Sequence, residues 1–368
     1  MSKSIIRILF AIDSLRAGGK ERRMISLVKH LSNSKDFHCE LLIFNKDVHY
    51  KEVFDINIKL NFLIRKNTTD FNAFKKFYII TKNFRPDIIH TWDTLTTLHA
   101  IPTAKLLRIK LITSKITDTP INYRKFTSFG IISELCFRFS NLILANSHAG
   151  IDAYGVSKKK SKVIYNGFDF SRIKDMVPKD EVKANFGITE GFLVGMVASF
   201  SENKDFSTFL EAAKQVRKKY NNIGFICTGD GVLLEKLKNE YSGSGIYFTG
   251  RLNDVESLMN ICDIGVLITN SYAHGEGISN SLLEFMALGK PVIASNNGGN
   301  KELINNGNTG TILLENNHEI LSDNVIDHFN KKGYYRNIGI NAKERVIKYF
   351  SIETMVSEFK NVYQNSFK

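Results

Sequence analysis

Short apolar runs alternate along the chain with longer stretches in which apolar residues recur at helical spacing. The short runs predict buried β-strands, and the longer stretches predict amphipathic helices. Repeated alternation of this kind is typical of parallel sheets that are covered by helices on both faces. The pattern therefore predicts an α/β fold.

The first half of the chain carries six predicted strands with helices between them. The strands are at 5–12, 39–44, 87–91, 110–116, 141–146 and 162–166, and the helices are near 20–32, 71–84, 94–108, 127–139 and 147–154. A second alternation has strands at 192–199, 223–229, 246–250, 264–269, 291–295 and 309–314, with helices at 205–219 and 232–241 and near 254–261 and 279–288. Two helices are predicted over 334–350 and 351–367.

The length of 368 residues predicts two domains rather than one core. We expect an N-terminal Rossmann-like domain at 1–168, a polar linker at 169–190, a second Rossmann-like domain at 191–345, and a C-terminal helix at 346–368 that packs back on the first domain. Ligands of such sheets bind outside the carboxyl ends of the strands. We therefore expect a central cleft between the two domains.

Composition and charge narrow the class of protein. Apolar residues make up 43% of the chain and charged residues 24%, which is typical of a globular protein. The net charge of +13 is compatible with nucleic acid, an anionic membrane or phosphorylated substrates. Because the basic residues are dispersed, a nucleic-acid module is disfavoured. A solvated basic face and a peripheral contact with an anionic membrane both stay open.

The chain shows neither a signal-peptide pattern nor an apolar stretch near the roughly 20 residues that span a bilayer. We expect a cytoplasmic protein, with the inner face of the cell membrane as a further location. The four cysteines form no CxxC pair, and no DxD pair or histidine cluster stands in a strand-end loop. We therefore expect no metal and no cofactor.

The segment 269–295, between two apolar runs, is the most informative part of the sequence. Gly275 and Gly277 flank Glu276, and a helix is predicted to start near Ser279. Backbone amides at a helix start favour phosphate oxygens, and Glu284 further along can accept hydrogen bonds from a ribose hydroxyl pair. Each residue alone suits a turn or a solvated helix, but the whole segment favours a ligand site.

Residues 276–295 resemble the E-x7-E motif of retaining glycosyltransferases of the GT-B fold, in family four, of the bacterial polysaccharide-biosynthesis type. The resemblance implies an acceptor-binding first domain and a nucleotide-sugar-binding second domain. It implies that Glu276 contacts the transferred sugar as the catalytic residue. It further implies that the amides of Gly277, Ile278, Ser279 and Asn280 hold the diphosphate and that Glu284 holds the ribose.

Further segments follow the order of that family. Gly18 and Gly19 resemble its N-terminal glycine-rich loop, which approaches the donor. Lys204 matches a lysine that faces the diphosphate, but Ser199 stands where the family commonly has arginine. A missing charge-assisted contact weakens binding by about 1.5–3 kcal/mol unless another cation, such as Arg251, substitutes.

The acceptor side of the first domain offers three candidates at predicted strand ends, namely His90, Asp93 and Asp118. The family often carries a functional histidine in this domain, and His90 is the nearest match. A histidine at a strand end is more often structural, so both interpretations of His90 stay open.

The resemblance predicts a metal-independent glycosyltransferase that retains the configuration at the anomeric carbon. The donor would be a nucleoside diphosphate sugar, with a UDP-sugar favoured over a GDP-sugar, and the acceptor a lipid-linked or surface-polysaccharide glycan. Two alternatives stay open. One is a nucleotide-sugar epimerase of the same architecture, and the other is a non-catalytic nucleotide-binding regulatory protein. A glycosidase is disfavoured, because a glutamate followed by helix-start amides suits a diphosphate better.

Overall fold

The computed structural model describes residues 5–16, 18–65, 70–120, 123–124, 126–270, 272 and 275–366. The chain divides into two compact units, one of which is formed by two separate parts of the sequence. The first unit comprises Met1–Gly167 and Ile352–Lys368, and the second comprises Phe168–Ser351.

The first unit is a parallel sheet with helices on both faces. Its strands are β1 (Ile6–Ile12), β2 (Phe37–Ile43), β3 (Lys59–Phe62), β4 (Ile88–Thr91), β5 (Lys110–Ile116), β6 (Leu142–Ala145) and β7 (Ser161–Val163). Its helices are α1 (Gly19–Ser32), α2 (Asn72–Phe84), α3 (Thr94–Leu107), α4 (Ser128–Phe139), α5 (His148–Tyr154) and, from the end of the chain, α14 (Ile352–Asn365). The strand order is β3-β2-β1-β4-β5-β6-β7.

Alternate side chains of β1 enter two different cores, because successive residues of a strand point to opposite faces. Ile8 and Phe10 pack on one face with α1 and α14, together with Trp92. Leu9 and Ala11 pack on the other face with α2 and α3. The continuous apolar run of β1 is thus explained by burial on both faces.

The second unit repeats the same architecture. Its strands are β8 (Phe192–Val197), β9 (Ile223–Thr228), β10 (Ile246–Gly250), β11 (Ile264–Leu267), β12 (Val292–Ser295) and β13 (Thr311–Leu313), all parallel, in the order β10-β9-β8-β11-β12-β13. Its helices are α6 (Lys179–Asn185), α7 (Phe206–Arg217), α8 (Leu234–Tyr241), α9 (Val255–Ile261), α10 (Asn280–Ala287), α11 (Asn300–Leu303), α12 (His318–Asn330) and α13 (Lys332–Tyr349).

Both sheets have the strand order of doubly wound folds, and the predicted α/β class is confirmed. In the first sheet the order reverses at the neighbours β1 and β4, and in the second at β8 and β11. Ligands of such sheets bind at this switch point, beyond the carboxyl ends of the two strands. The loops that follow β8 and β11 are therefore where a ligand site of the second unit is expected.

The stretch 169–190, which we expected to be a polar linker, lies within the second unit and is partly helical. It contains a short 3-10 helix at Phe170–Ile173 and then α6, which starts directly after Pro178. Only Val182 of α6 is buried, so its sequence lacks the apolar stripe that would reveal a helix. Residues 346–349 continue α13 of the second unit, and the last helix starts only at Ile352.

Candidate active site

The loops after β8 and β11 are held together by backbone hydrogen bonds. The amide of Asp205 donates to the carbonyl of Ile268 at 2.9 Å, and the amide of Asn270 donates to the carbonyl of Asn203 at 3.0 Å. The backbones of Lys204 and Thr269 thereby form an isolated antiparallel β-bridge between the two loops. The fold thus fixes the position of Lys204 at the switch point of the second sheet.

A buried ion pair occupies this position. The Nζ atom of Lys204 contacts Oε1 of Glu276, and their side chains are 14% and 11% exposed. The hydroxyl of Thr269 donates to the same carboxylate oxygen at 3.0 Å. Burial lowers the pKa of the Lys204 ammonium to about 8, although the paired carboxylate favours its charged form.

Helix α10 begins four residues after Glu276. Ser279 is its N-cap, with the side-chain oxygen accepting from the amide of Leu282 at 3.5 Å, and Asn280 is the first helical residue. Ile278 and Ser279 are buried. The positive end of the helix dipole therefore lies close in sequence to the Glu276 carboxylate, an arrangement that favours an anionic group nearby.

Gly299 holds the segment after Glu276 in place. Its amide donates to the carbonyl of Glu276 at 2.9 Å. A Cβ atom added to Gly299 would lie 2.7 Å from the carbonyl carbon of Gly277, which is closer than any unstrained contact. Glycine is therefore required at position 299 by the close approach of two backbone segments.

Glu284 is buried one helical turn beyond the start of α10, and a guanidinium group contacts it. Nη2 of Arg172 lies 3.0 Å from Oε1 of Glu284. The same nitrogen also contacts Oε1 of Glu256 at the start of α9. The predicted ribose-binding carboxylate is thus part of a cluster of three charged groups.

Ser199, which stands where the family commonly has arginine, is exposed. Arg251, the cation that could substitute for that arginine, is exposed as well. Ser199 lies in the loop after β8, with its hydroxyl 3.2 Å from that of Ser201. Arg251 directly follows β10. Strand β9 lies between β10 and β8 in the sheet, so Arg251 and Ser199 follow strands that are not neighbours. A substituting role of Arg251 stays a prediction.

The glycine pair of the first unit lies at the start of α1. Gly18 precedes the helix, and its carbonyl accepts a hydrogen bond from the hydroxyl of Tyr50 at 3.0 Å. Gly19 is the first helical residue. Their contact with a donor stays a prediction.

Asp93 lies at the switch point of the first sheet, where it caps α3. Its Oδ1 accepts from the amide of Thr96 at 2.8 Å, and its Oδ2 accepts from the amide of Asp13 at 2.8 Å. Burial and the charge of Asp13 raise the pKa of Asp93 to about 6. These contacts join the ends of β1 and β4, which favours a structural role for Asp93.

His90 lies inside the first unit rather than at the surface where β4 ends. It is fully buried, and its ring nitrogens lie 2.8 Å from the hydroxyl of Tyr363 and 2.7 Å from that of Ser114. Burial and the nearby Arg23 charge hold the pKa of His90 well below its usual value. Both nitrogens are occupied in the core, which favours the structural interpretation. Asp118 is half-buried and accepts a hydrogen bond from the hydroxyl of Tyr154 at 3.0 Å.

Four contacting residues were missed by sequence reasoning, namely Thr269, Gly299, Arg172 and Glu256. Thr269 is the last residue of the predicted strand 264–269, and Gly299 belongs to a glycine pair after the next strand, so each carried a local signal. Arg172 and Glu256 carried no local signal. They precede Glu284 by 112 and by 28 residues, and both lie in polar stretches of the sequence.

Among the residues that the structure describes, no group of three His, Cys, Asp or Glu side chains is placed as metal ligands would be. No helix in this described part of the chain is both long and apolar enough to cross a bilayer. Within the segment 269–295, residues 271, 273 and 274 lie outside the described part of the chain.

Two family models match the chain. The model described as Glycosyltransferase Family 4 matches residues 17–172, and the model described as Glycosyl transferases group 1 matches residues 178–345. The second match contains Lys204, Glu276 and Glu284. The boundary between the two matches falls close to the boundary between the two structural units.

Several curated proteins are similar in sequence. The uncharacterized glycosyltransferase MJ1069 of Methanocaldococcus jannaschii is 27% identical over 241 residues, which are 63% of this chain and only 60% of that protein. The O-antigen biosynthesis glycosyltransferase WclY of Escherichia coli is 26% identical over 79% of this chain and 80% of its own. A UDP-Gal:alpha-D-GlcNAc-diphosphoundecaprenol alpha-1,3-galactosyltransferase of Escherichia coli is 23% identical over 80% of this chain and 79% of its own.

Solved structures share the whole fold. The crystal structure of Anabaena Alr3699/HepE in complex with UDP has a TM-score of 0.85 and 21% sequence identity, and the match covers 98% of this chain and 100% of that one. The same protein in complex with UDP-glucose has a TM-score of 0.86. The two family matches span most of the sequence, and the fold agrees with them, so the chain belongs to the GT-B glycosyltransferases of family four.

Proposed function

We propose that this chain is a retaining, metal-independent glycosyltransferase that moves a sugar from a nucleoside diphosphate sugar to an acceptor hydroxyl. The observation that carries the proposal is the buried pair of Lys204 and Glu276 at the switch point of the second sheet, next to the start of α10. An ammonium and a helix N-terminus attract a diphosphate, and a carboxylate beside them can accept hydrogen bonds from a sugar.

Each group has a distinct task in this proposal. Glu276 contacts the transferred sugar, and the backbone of Gly277 to Asn280 faces the diphosphate. Lys204 stabilises the negative charge that grows on the leaving oxygen. Glu284 accepts hydrogen bonds from the ribose hydroxyls. The bond between the anomeric carbon and the diphosphate oxygen breaks, the acceptor oxygen bonds to the same face of that carbon, and the proton of the acceptor hydroxyl passes to the departing diphosphate oxygen.

We favour a UDP-sugar as the donor. Support comes from HepE, whose structures contain UDP and UDP-glucose, and from the Escherichia coli galactosyltransferase, whose name specifies UDP-Gal. That name also specifies a diphosphoundecaprenol-linked acceptor, and WclY is an O-antigen enzyme. We therefore propose a lipid-linked or surface-polysaccharide glycan as the acceptor.

An acceptor on a lipid carrier calls for contact with a membrane, and helix α4 supplies a suitable surface. Its side chains Ile131 and Leu135 are 51% and 39% exposed and, four residues apart, lie on the same face of the helix. Near its end, the Nζ atom of Lys160 donates to the carbonyls of Phe137 and Arg138. Apolar side chains flanked by cations suit an anionic bilayer surface. We propose that α4 provides a peripheral contact with the inner face of the cell membrane.

The donor assignment is tested by incubating the protein with a panel of UDP-, GDP- and ADP-sugars and measuring release of the nucleotide. We expect release from a UDP-sugar that requires an acceptor. Conversion of the donor without an acceptor would instead indicate an epimerase, and binding without turnover would indicate a regulatory protein. Glu276→Ala should abolish transfer while the fold stays intact, and near-normal turnover of this variant would contradict the proposal.

The membrane contact is tested by flotation with liposomes that contain anionic lipid. We expect binding that weakens with salt and is lost in the double variant Ile131→Ser and Leu135→Ser. A matched control is Ile340→Ser, which changes an exposed apolar residue of the second unit. Binding that is absent, or equal in both variants, would indicate a soluble acceptor or another surface.

A further inference from the structure

A single arginine lies between two buried glutamates in the second unit. Nη2 of Arg172 contacts Oε1 of Glu284 and Oε1 of Glu256. The Arg172 side chain is 27% exposed, whereas those of Glu284 and Glu256 are 5% and 7% exposed. We infer that Arg172 is a positioning residue that holds the Glu284 carboxylate ready for the ribose of the donor. The inference rests on the proposed function of Glu284.

The three residues come from separate parts of the unit. Arg172 lies in the 3-10 helix Phe170–Ile173, Glu256 in the first turn of α9, and Glu284 in the middle of α10. Two carboxylates that meet one nitrogen atom must themselves be close together. Their mutual repulsion in a buried place is strong, and the shared guanidinium is what offsets it.

Both the side chain and the neighbouring backbone of Arg172 are held by local contacts. The guanidinium carbon of Arg172 lies 5.2 Å from the ring centroid of Phe168, which is fully buried. The side chain of Asp169 accepts from the amide of Ser171 at 2.9 Å and so fixes the start of the 3-10 helix. Because these contacts hold Arg172 in place, it can define the rotamer of a carboxylate that it contacts.

The arrangement has a clear chemical consequence. A charged carboxylate in a fixed rotamer accepts hydrogen bonds from a hydroxyl pair at a low entropic cost. Without the guanidinium, Glu284 and Glu256 would repel each other, and one of them would turn away or take up a proton. Ribose recognition would then weaken, although no contact of Glu284 with the nucleotide had been removed directly.

The test measures binding of UDP and of 2′,3′-dideoxy-UDP by calorimetry. In Arg172→Met we expect UDP to bind about tenfold or more weakly, the loss expected for a charge-assisted contact, and dideoxy-UDP to bind within about twofold of wild type. The dideoxy compound lacks the hydroxyls through which Arg172 would act. Glu284→Gln should give the same selective loss. Arg336→Met, which changes an exposed arginine of α13, is the matched control.

A second variant pair separates positioning from folding. Arg172→Lys keeps the charge and should restore part of the UDP affinity. Glu256→Gln in the Arg172→Met background removes the repelling carboxylate and should also recover part of it. Thermal unfolding of each variant, measured without nucleotide, shows whether the second unit is intact.

The outcomes are distinct. Equal weakening of UDP and dideoxy-UDP in Arg172→Met would show a general structural role and overturn the inference, as would unchanged binding of both. If Glu284→Gln leaves the preference for UDP over dideoxy-UDP intact, the ribose role of Glu284 in the proposed function fails. If wild type binds neither compound, the proposed UDP donor fails. An Arg172→Met protein that unfolds, with Arg172→Lys equally unfolded, also overturns the inference.

Discussion

The Nζ atom of Lys204 contacts Oε1 of Glu276, 72 residues later in the chain, and both side chains are buried. The contact exists because the loops after β8 and β11 run side by side, joined through Asp205 and Asn270. Because β8 and β11 are neighbours in the sheet, their loops bring Lys204 and Glu276 together. Its opposite charges can each meet one end of a sugar diphosphate, the ammonium at the phosphates and the carboxylate at the sugar.

Removal of the ammonium should weaken donor binding. We expect Lys204→Met to lose about 1.5–3 kcal/mol of UDP affinity, because a charge-assisted contact to phosphate is lost and Glu276 stays buried without its cation. Calorimetry with UDP measures the change. Lys236→Met, at an exposed position of α8, is the control. Affinity within twofold of wild type in Lys204→Met would contradict the role of Lys204.

Donor capture should depend on pH above neutrality. The buried Lys204 ammonium has a pKa of about 8 in the free protein, so the cation is present below that pH and is lost as the pH rises through it. We expect kcat/KM for the donor, which reports groups of the free enzyme, to fall above about pH 8.

Lys204→Arg provides the comparison for this pH dependence. A guanidinium stays charged over the accessible pH range, so the variant should keep its kcat/KM to a higher pH even if its activity is lower. An identical decline in Lys204→Arg would assign the titration to another group. A flat wild-type profile up to pH 10 would contradict the pH prediction itself.

The close approach at Gly299 gives a prediction about the loop geometry. Gly299→Ala should push the backbone of Gly277 away and lower the unfolding free energy by about 1–3 kcal/mol, with a loss of UDP binding. Gly333→Ala is the control, since a Cβ there meets open space and helix propensity favours alanine. Equal stability and UDP binding in both variants would show that the loop adapts.

The hydrogen bond between His90 and Tyr363 should stabilise the first unit. Tyr363→Phe leaves the buried imidazole with one partner fewer and should cost about 1–3 kcal/mol. Trp92 is the single tryptophan and lies in the core of the first unit, so its fluorescence during denaturant unfolding reports this unit. Tyr78→Phe, at a half-buried position of α2, is the control. No difference between the variants would contradict the prediction.

Much of the fold followed from apolar periodicity, because the central strands are buried on both faces. Strands such as β1, β5 and β8 were located to within a residue or two at their starts. Strand β3 was missed because it lies at the edge of the sheet, where half-exposed residues give no continuous apolar run. Helix α12 was missed as well, although the structure shows that Leu321 and Val325 are buried four residues apart.

The candidate site was predictable where its residues are close in sequence and not where they are distant. Glu276 and Glu284 lie in one segment with a helix start, whose pattern indicates a phosphate site. His90 was expected at a strand end, but its partner Tyr363 is 273 residues away, so its burial had no local signal. Arg172 likewise depends on contacts that only the tertiary structure creates.

Helix α14 completes the core of the first unit, but the ribosome synthesises this helix only after the entire second unit. Residues 168–351 are contiguous and complete in the nascent chain while the sheet that holds Phe10 and Trp92 still lacks Phe359 and Tyr363. At about 5–20 residues per second, synthesis of the intervening unit takes roughly ten seconds or longer. The part of the protein that is translated first therefore acquires its finished core last, and its apolar face must be protected in the meantime.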